Sequence, residues 1–275
     1  MYPNLFRLNL PVIGELTITS FGAMMALAYM AGYMLIRHEL QRRGQDPEFG
    51  GDVLLGALIG GILGAKIYYV LLNWELTAQD PFGMLFSRSG LVWYGGLIGA
   101  ALGVSAMSRL REQPISLVAD VCAPALALSY GIGRIGCFLV GDDYGRPTES
   151  WVGIAFPNGL PPTTAGSLRR NFDVSIPDSI PDFQVLAVHP TQLYETALAF
   201  LILAVLWKLR MRDKAAGWLF GVWLLLAGAE RFFVEILRAK DDRFLGVFTL
   251  AQFISLLLIG FGLYLMQRLA RPRAR

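Results

Sequence analysis

Apolar residues fall along this chain in long runs separated by mostly short polar connections. Seven runs approach the ~20 residues a helix needs to cross a hydrocarbon core, at about residues 18–37, 52–73, 90–108, 116–138, 190–209, 216–237 and 246–267. Runs of that length predict membrane-spanning helices rather than strands. The longest connection, roughly 139–188, is rich in Pro, Asp, Asn and Gly, and its short runs Trp151–Phe156 and Phe183–Val188 read as strands of a small cap. The expected fold is an all-α polytopic membrane protein. Residues 1–275 form a single membrane domain, with the 139–188 cap inserted between the fourth and fifth segments.

Composition agrees with the pattern. The 275 residues are 55% hydrophobic and 16% charged, with mean hydropathy +0.49, against about 25% charged in an average soluble domain. Too little polar chain is left for a separate soluble domain. The opening MYPNLFRLNLPVIGELTITS lacks a basic stretch followed directly by an apolar one, so the first segment is expected to stay attached.

Seven spans put the termini on opposite sides. The connection holding Lys208, Arg210, Arg212 and Lys214 is dense in positive charge and is expected in the cytoplasm. Arg37, Arg42, Arg43, Arg109 and Arg111 and the tail residues Arg268, Arg271, Arg273 and Arg275 fall on the same side. The N-terminus and the cap are then extracytoplasmic. Only the short connection with Arg238, Lys240 and Arg243 points the other way.

The net charge of +3 is scattered between connections, which argues against a nucleic-acid surface. Cys122 and Cys137 fall in one predicted helix, where 15 residues rise about 22 Å, too far for a disulfide. His38 and His189 are the only histidines and make no metal-ligand spacing with the cysteines, so neither a metal nor a cofactor is expected.

Charged residues inside the apolar runs carry more information. Lys66, Asp120, Arg134, Glu195, Glu230, Arg231 and Glu235 lie within or at the ends of the segments. On an insertion scale such a residue costs roughly 2.5–3.5 kcal/mol at the helix centre, so it usually pairs or lines a polar cavity. Lys66 could equally snorkel to the headgroups. Arg231, Glu235 and Arg238 occupy i, i+4 and i+7, one face of a helix. Two arginines around one carboxylate leave positive charge over, which suits an anionic headgroup, although an internal ion pair accounts for part of the pattern. Gly131, Gly133 and Gly136 flank Arg134 and remove bulk on both sides of its guanidinium. Gly141, Gly145 and Pro147 follow as a turn-rich exit. The glycines of GALIGGILGAK and GGLIGAALG suit close helix packing in lipid.

The run GRIGCFLVGDDYGRPT at 133–148 is similar to the signature of the prolipoprotein diacylglyceryl transferases, and HPTQLYE at 189–195 resembles that family's second motif. The order also matches: GAK at 64–66, WYGGLIG at 93–99 and VADVCAP at 118–124 precede these motifs, and an R-x-x-x-E at Arg231 and Glu235 follows them. The resemblance implies a plasma-membrane enzyme, open to the outer leaflet, that takes a diacylglyceryl group from phosphatidylglycerol. The acceptor would be the lipobox cysteine of a prolipoprotein, and the products a thioether and glycerol phosphate. By position in the motifs, Arg134 and Arg231 fall on the family's essential arginines, Gly145 on its signature glycine and Glu235 on the acidic partner. Asp142, Cys137, Arg238 and Lys66 join Arg134, Gly145 and Arg231 as candidate substrate contacts. Many members carry Glu in place of Asp142, His in place of Tyr94, Asn in place of Cys137, Tyr in place of Phe21 and Arg in place of Lys66.

A thiol of pKa about 8.5 is mostly protonated near neutrality, and a nearby guanidinium favours its thiolate. Fixed guanidiniums also stabilise the charge that grows on the departing phosphate, work that falls to Arg134 and Arg231. Glu235, Asp142 and Tyr94 are candidate bases, with Tyr94 better suited to hydrogen-bonding the headgroup, and the base stays open. His189, Tyr194 and Glu195 read as supports of the bundle. Two other readings stand beside the transferase: a lipid-binding paralogue with a different acceptor or no activity, and a small-molecule transporter, for which no internal repeat is visible.

Overall fold

A computed structural model describes residues 2–10, 14–87, 90–172, 174–239, 243–244 and 248–271. Lys240, Arg273 and Arg275, counted above for orientation, lie outside the described residues. The elements in order are β1 (Asn4–Leu10), β2 (Gly14–Thr19), α1 (Ser20–Arg42), α2 (Phe49–Leu72), α3 (Trp74–Gln79), α4 (Pro81–Phe86), α5 (Trp93–Leu110) and α6 (Ile115–Val140). There follow β3 (Ile154–Ala155), α7 (Ala165–Phe172), β4 (Ala187–Val188), α8 (Thr191–Leu209), α9 (Trp218–Leu237), β5 (Arg243–Phe244), β6 (Phe248–Thr249) and α10 (Leu250–Arg268).

The helices α1, α2, α5, α6, α8, α9 and α10 coincide with the seven predicted segments. Four of them, α2, α6, α8 and α10, are long and continuously apolar enough to cross a membrane. The others are interrupted: α9 carries Glu230, Arg231 and Glu235, α1 ends in Arg37, Glu39 and Arg42, and α5 is glycine-rich. Leu55, Ile59, Ile62 and Leu63 on α2 stay exposed, as on a lipid-facing helix. Cys122 and Cys137 share α6, as expected, and both are free. Before α1 the chain forms an antiparallel β1–β2 hairpin, an element the segment pattern did not announce.

The chain divides into two compact units, Met1–Gly32 with Cys122–Arg275, and Tyr33–Val121. In the second, α2 and α5 pack through paired glycines: Gly56 faces Gly103, Gly60 faces Gly99 and Gly64 faces Gly95. A Cβ at Gly60, Gly64, Gly99 or Gly103 would run into a carbonyl oxygen of the partner helix. The small residues therefore work as expected, bringing backbones into contact where van der Waals packing has to hold helices in lipid. Charges at this unit's polar edge are paired, Arg111 with Asp52 at 2.7 Å and Arg42 with Glu39 at 2.8 Å.

In the first unit, Ala123 and Ala127 of α6, Ile202 and Leu206 of α8, and Trp218, Leu219 and Val222 of α9 form a buried core. Helix α10 lies on α9 through Gly221 and Gly262 and begins with a capping box between Thr249 and Gln252. The connection between α6 and α8 carries β3, α7 and β4 among its described residues. Its strands β3 and β4 pair antiparallel inside the two predicted runs, and Tyr144, Phe156, Leu168 and Val188 form its own small core.

Candidate active site

Arg134 projects from the last turns of α6 and is buried. Its guanidinium pairs with Glu195 of α8, reaches Asp143 Oδ2 at 2.9 Å and donates from NH1 to the Cys137 thiol at 3.5 Å. Glu195 is fully buried; its other oxygen accepts from Tyr130 at 3.1 Å and from Arg231 at 3.3 Å. Arg231 NH2 lies 2.6 Å from Glu235 Oε2, one helical turn on. That oxygen lies 3.6 Å from Arg238 Nε, and Arg238 NH2 donates to Asp143 Oδ1 at 2.9 Å. The circuit closes there: Arg134, Glu195, Arg231, Glu235, Arg238 and Asp143 alternate in sign, three guanidiniums against three carboxylates. Glu195 and Glu235 are the buried carboxylates of the circuit, so removing either leaves guanidinium charge short of its partner.

Local backbone rules put these groups within reach. The i, i+4 spacing on α9 aligns Arg231 with Glu235, and Arg238 caps the helix end. Helix α6 stops at Gly141, at φ 75°, and Asp143 follows at φ 55°, so two left-handed residues fold the chain back and return the Asp143 carboxylate to Arg134. Gly145 then passes between two other strands of chain. Its N–H donates to the His189 carbonyl and the Arg146 N–H to the Leu237 carbonyl, both at 2.8 Å. A Cβ on Gly145 would stand 2.5 Å from Leu237 O and 2.9 Å from His189 and Thr191. Thr191 Oγ1 donates to the Asp143 carbonyl at 2.8 Å, so the exit of α6, the start of α8 and the end of α9 are tied at one place.

Five candidates from the sequence therefore sit in or against one cluster: Arg134, Arg231, Glu235 and Arg238 in the circuit and Cys137 beside Arg134. Asp142 neighbours Cys137, and its backbone carbonyl accepts from Gln192. Gly145 is accounted for by close backbone packing. Tyr94 and Lys66 belong to the second unit. There Tyr94 packs edge-on to Trp93, and buried Lys66 donates to the Ser87 hydroxyl at 2.7 Å and to its carbonyl at 2.9 Å, so Lys66 does not extend freely outward.

Two expectations need correction. The surplus positive charge around Glu235 is absent from the circuit, because Glu195 and Asp143 supply two further carboxylates. Gly131 and Gly136 do not open space for a ligand: a Cβ there would meet Phe200 at 3.0 Å and Met24 at 3.1 Å, so both serve helix packing. Glu195 joins Arg134 of α6 to Arg231 of α9. Glu195 stands out in the sequence as an ionisable residue inside an apolar run, whereas Asp143, which joins Arg134 to Arg238, was not among the candidates.

Burial by itself raises the Asp143 carboxyl, but the charges of Arg238 and Arg134 outweigh it and hold the group down to about 2. Asp142 moves the other way, raised by burial and by the charge of Asp143. The Cys137 thiol and the Asp142 and Asp143 carboxylates come within 4.8 Å of one another, a spacing that a cation can use. Both Asp143 oxygens already accept guanidinium N–H groups, so that carboxylate is committed to the circuit.

The sequence profile of the prolipoprotein diacylglyceryl transferases matches residues 9–268. The phosphatidylglycerol–prolipoprotein diacylglyceryl transferase of Clostridium tetani is 30% identical over 258 residues, 92% of this chain and 95% of the relative. A second such transferase, from Clostridium perfringens, is 34% identical over 262 residues, 92% of this chain and 93% of its own. That of Geobacter sulfurreducens is 31% identical over 282 residues, 98% of this chain and 96% of the relative.

Proposed function

Because this chain belongs to the prolipoprotein diacylglyceryl transferase family and is a multi-pass membrane protein, we propose that it moves the diacylglyceryl group of phosphatidylglycerol onto the lipobox cysteine of prolipoproteins. The thiol sulfur attacks the glycerol carbon, the carbon–oxygen bond to the phosphate breaks, and glycerol phosphate leaves. The observation that carries the reading is the convergence of Arg134 and Arg231 on one buried carboxylate, Glu195, from two helices. A phosphate entering between them replaces the carboxylate as the anion that both guanidiniums hold. Arg231 is the more accessible of the two and its 3.3 Å contact with Glu195 is the looser one, so exchange begins there.

The fixed guanidiniums then act on the step itself. Negative charge moves from sulfur to phosphate oxygen during displacement, and preorganised donors at the phosphate stabilise that charge as it develops. Glu235 and Asp143 keep Arg231 and Arg238 oriented through ion pairs. The seven long helices act as seven spans in a bacterial plasma membrane, with the cap and N-terminus extracytoplasmic and the basic α8–α9 connection cytoplasmic. The distribution of Lys208, Arg210, Arg212 and Lys214 supports this orientation.

Incubating the purified chain with phosphatidylglycerol labelled in the glycerol backbone of its diacylglyceryl group and a lipobox peptide tests the reading. Label should pass to the peptide in a thioether that resists alkaline hydrolysis, and a peptide with serine for the cysteine should stay unlabelled. Failure to label the cysteine peptide would favour a paralogue or a transporter instead.

A further inference from the structure

The cap carries a groove of about 720 Å³ beside the charged circuit, within the ~300–1,000 Å³ typical of ligand sites. One wall is the stretch 146–149 that follows the Gly145 crossing, a second is 174–180 and a third is 185–187. These walls are tied in place. Thr148 N–H donates to the Ala187 carbonyl at 2.9 Å. Arg169 of α7 holds the 174–180 wall by donating to the carbonyls of Pro177 at 2.6 Å and Ile180 at 3.0 Å, and its NH1 donates to Asp182 at 2.5 Å. A site whose walls are set before a ligand arrives loses little ordering entropy when one binds. The groove also adjoins the circuit: Ala239 lines it and directly follows Arg238, and Arg146 Nε donates to the Arg238 carbonyl at 3.1 Å. The backbone of Arg238 therefore borders the groove while its guanidinium holds Asp143.

We propose that this groove receives the acceptor polypeptide just past its lipobox cysteine, laid out in extended form. This rests on the transferase reading above. The thiol has to reach the donor carbon beside the guanidiniums, so the polypeptide around it lies against surfaces that adjoin the circuit. The stretch before the cysteine is the apolar part of a signal segment, which stays among the helices. The stretch after it leaves the membrane and meets the cap. At ~3.3 Å per extended residue, the first few residues past the cysteine span from the circuit into the groove. The lining suits a polypeptide better than an acyl chain. Val174, Ile180 and Val185 offer apolar surface to side chains, while Arg146, Thr148 and Glu149 offer donors and acceptors to peptide groups.

The test uses the full-length chain with phosphatidylglycerol and two lipobox peptides, one ending at the cysteine as its amide and one continuing for several residues. The unmodified chain should use the longer peptide with a kcat/KM higher by about tenfold or more, the worth of burying one apolar side chain, with the gain lying in KM for the peptide. Ser175→Trp and Val185→Trp fill the groove from two walls, both at exposed positions. Each should raise KM for the longer peptide to that of the shorter one, leaving kcat, KM for phosphatidylglycerol and the rate with the shorter peptide unchanged. Transfer to the shorter peptide reports that the variant is folded; where one variant fails that control, the other and the comparison of peptides decide. Equal use of both peptides by the unmodified chain, or an unchanged KM for the longer peptide in the filled variants, would overturn the inference and leave the transferase reading intact. A rise in KM for phosphatidylglycerol instead would give the groove to the lipid and overturn it as well. No transfer by the unmodified chain to either peptide would overturn both readings.

Discussion

Asp143 and Arg238 meet at 2.9 Å across 95 residues of sequence, and the second oxygen of the same carboxylate receives Arg134 at the same distance. One aspartate in a left-handed turn thus holds guanidiniums from the ends of two helices in a fixed relation. This is the link by which the turn after α6 determines where the proposed phosphate ligands stand.

Replacing Asp143 by Asn tests that link. Its carboxyl is held at about 2, below its ordinary 3.8, so the stabilisation it contributes is present above about pH 4 and is lost as pH falls toward 2. The side chain is 43% exposed, so solvent screens the pair and the stability difference should be about 1 kcal/mol or less. Thermal unfolding in detergent should show Asp143→Asn below the unmodified chain at pH 7 and level with it near pH 2. Transfer activity should drop further than stability, because Arg134 and Arg238 both lose a fixed partner. A gap that persists unchanged at pH 2 would show that the carboxylate charge is not what holds the turn.

Helix packing in the second unit gives a sharper stability contrast. Gly60 and Gly99 touch through backbone, so Gly60→Leu must push α2 and α5 apart. Overpacking of this kind costs about 1–3 kcal/mol, and more where backbone cannot yield. Gly51→Ala on the same helix meets nothing within 4 Å and should be neutral or slightly stabilising. Equal thermal stability of the two variants would argue against the close α2–α5 contact.

Orientation is open to chemical labelling. Ser179→Cys lies exposed in the cap and Asp213→Cys exposed in the basic connection between α8 and α9. In intact cells an impermeant thiol reagent should label the first and spare the second until the membrane is opened. The reverse pattern would place the cap in the cytoplasm.

The seven long helices were legible in the sequence because each coincides with an apolar run, continuous in α2, α6, α8 and α10. The α2–α5 contact was legible for the same local reason, as glycines at intervals of four in each segment. The i, i+4 pair Arg231–Glu235 could also be read from spacing alone. Asp143 could not, because its reach to Arg134 depends on positive φ at Gly141 and at Asp143 itself, which composition does not distinguish from an ordinary turn at Asp142. Glu195 was visible as a buried charge, but its two arginine partners are 61 and 36 residues away, a pairing set by the bundle and not by any local pattern. The β1–β2 hairpin was passed over because attention to long apolar runs misses short extended pieces.

The account turns on Arg134 and Arg231 as joint ligands of the donor phosphate. Arg offers a planar fork matched to two phosphate oxygens, whereas Lys offers a point charge on a flexible stem, so keeping the charge does not keep the geometry. Losing one oriented donor at a charge-developing site costs about 2.7–4 kcal/mol, or roughly 10²–10³ in rate. The most direct measurement is therefore transfer from labelled phosphatidylglycerol to a lipobox peptide by Arg134→Lys and Arg231→Lys, each checked for insertion and folding. Each folded variant should lose at least a hundredfold in rate; near-normal transfer by either would contradict the phosphate clamp.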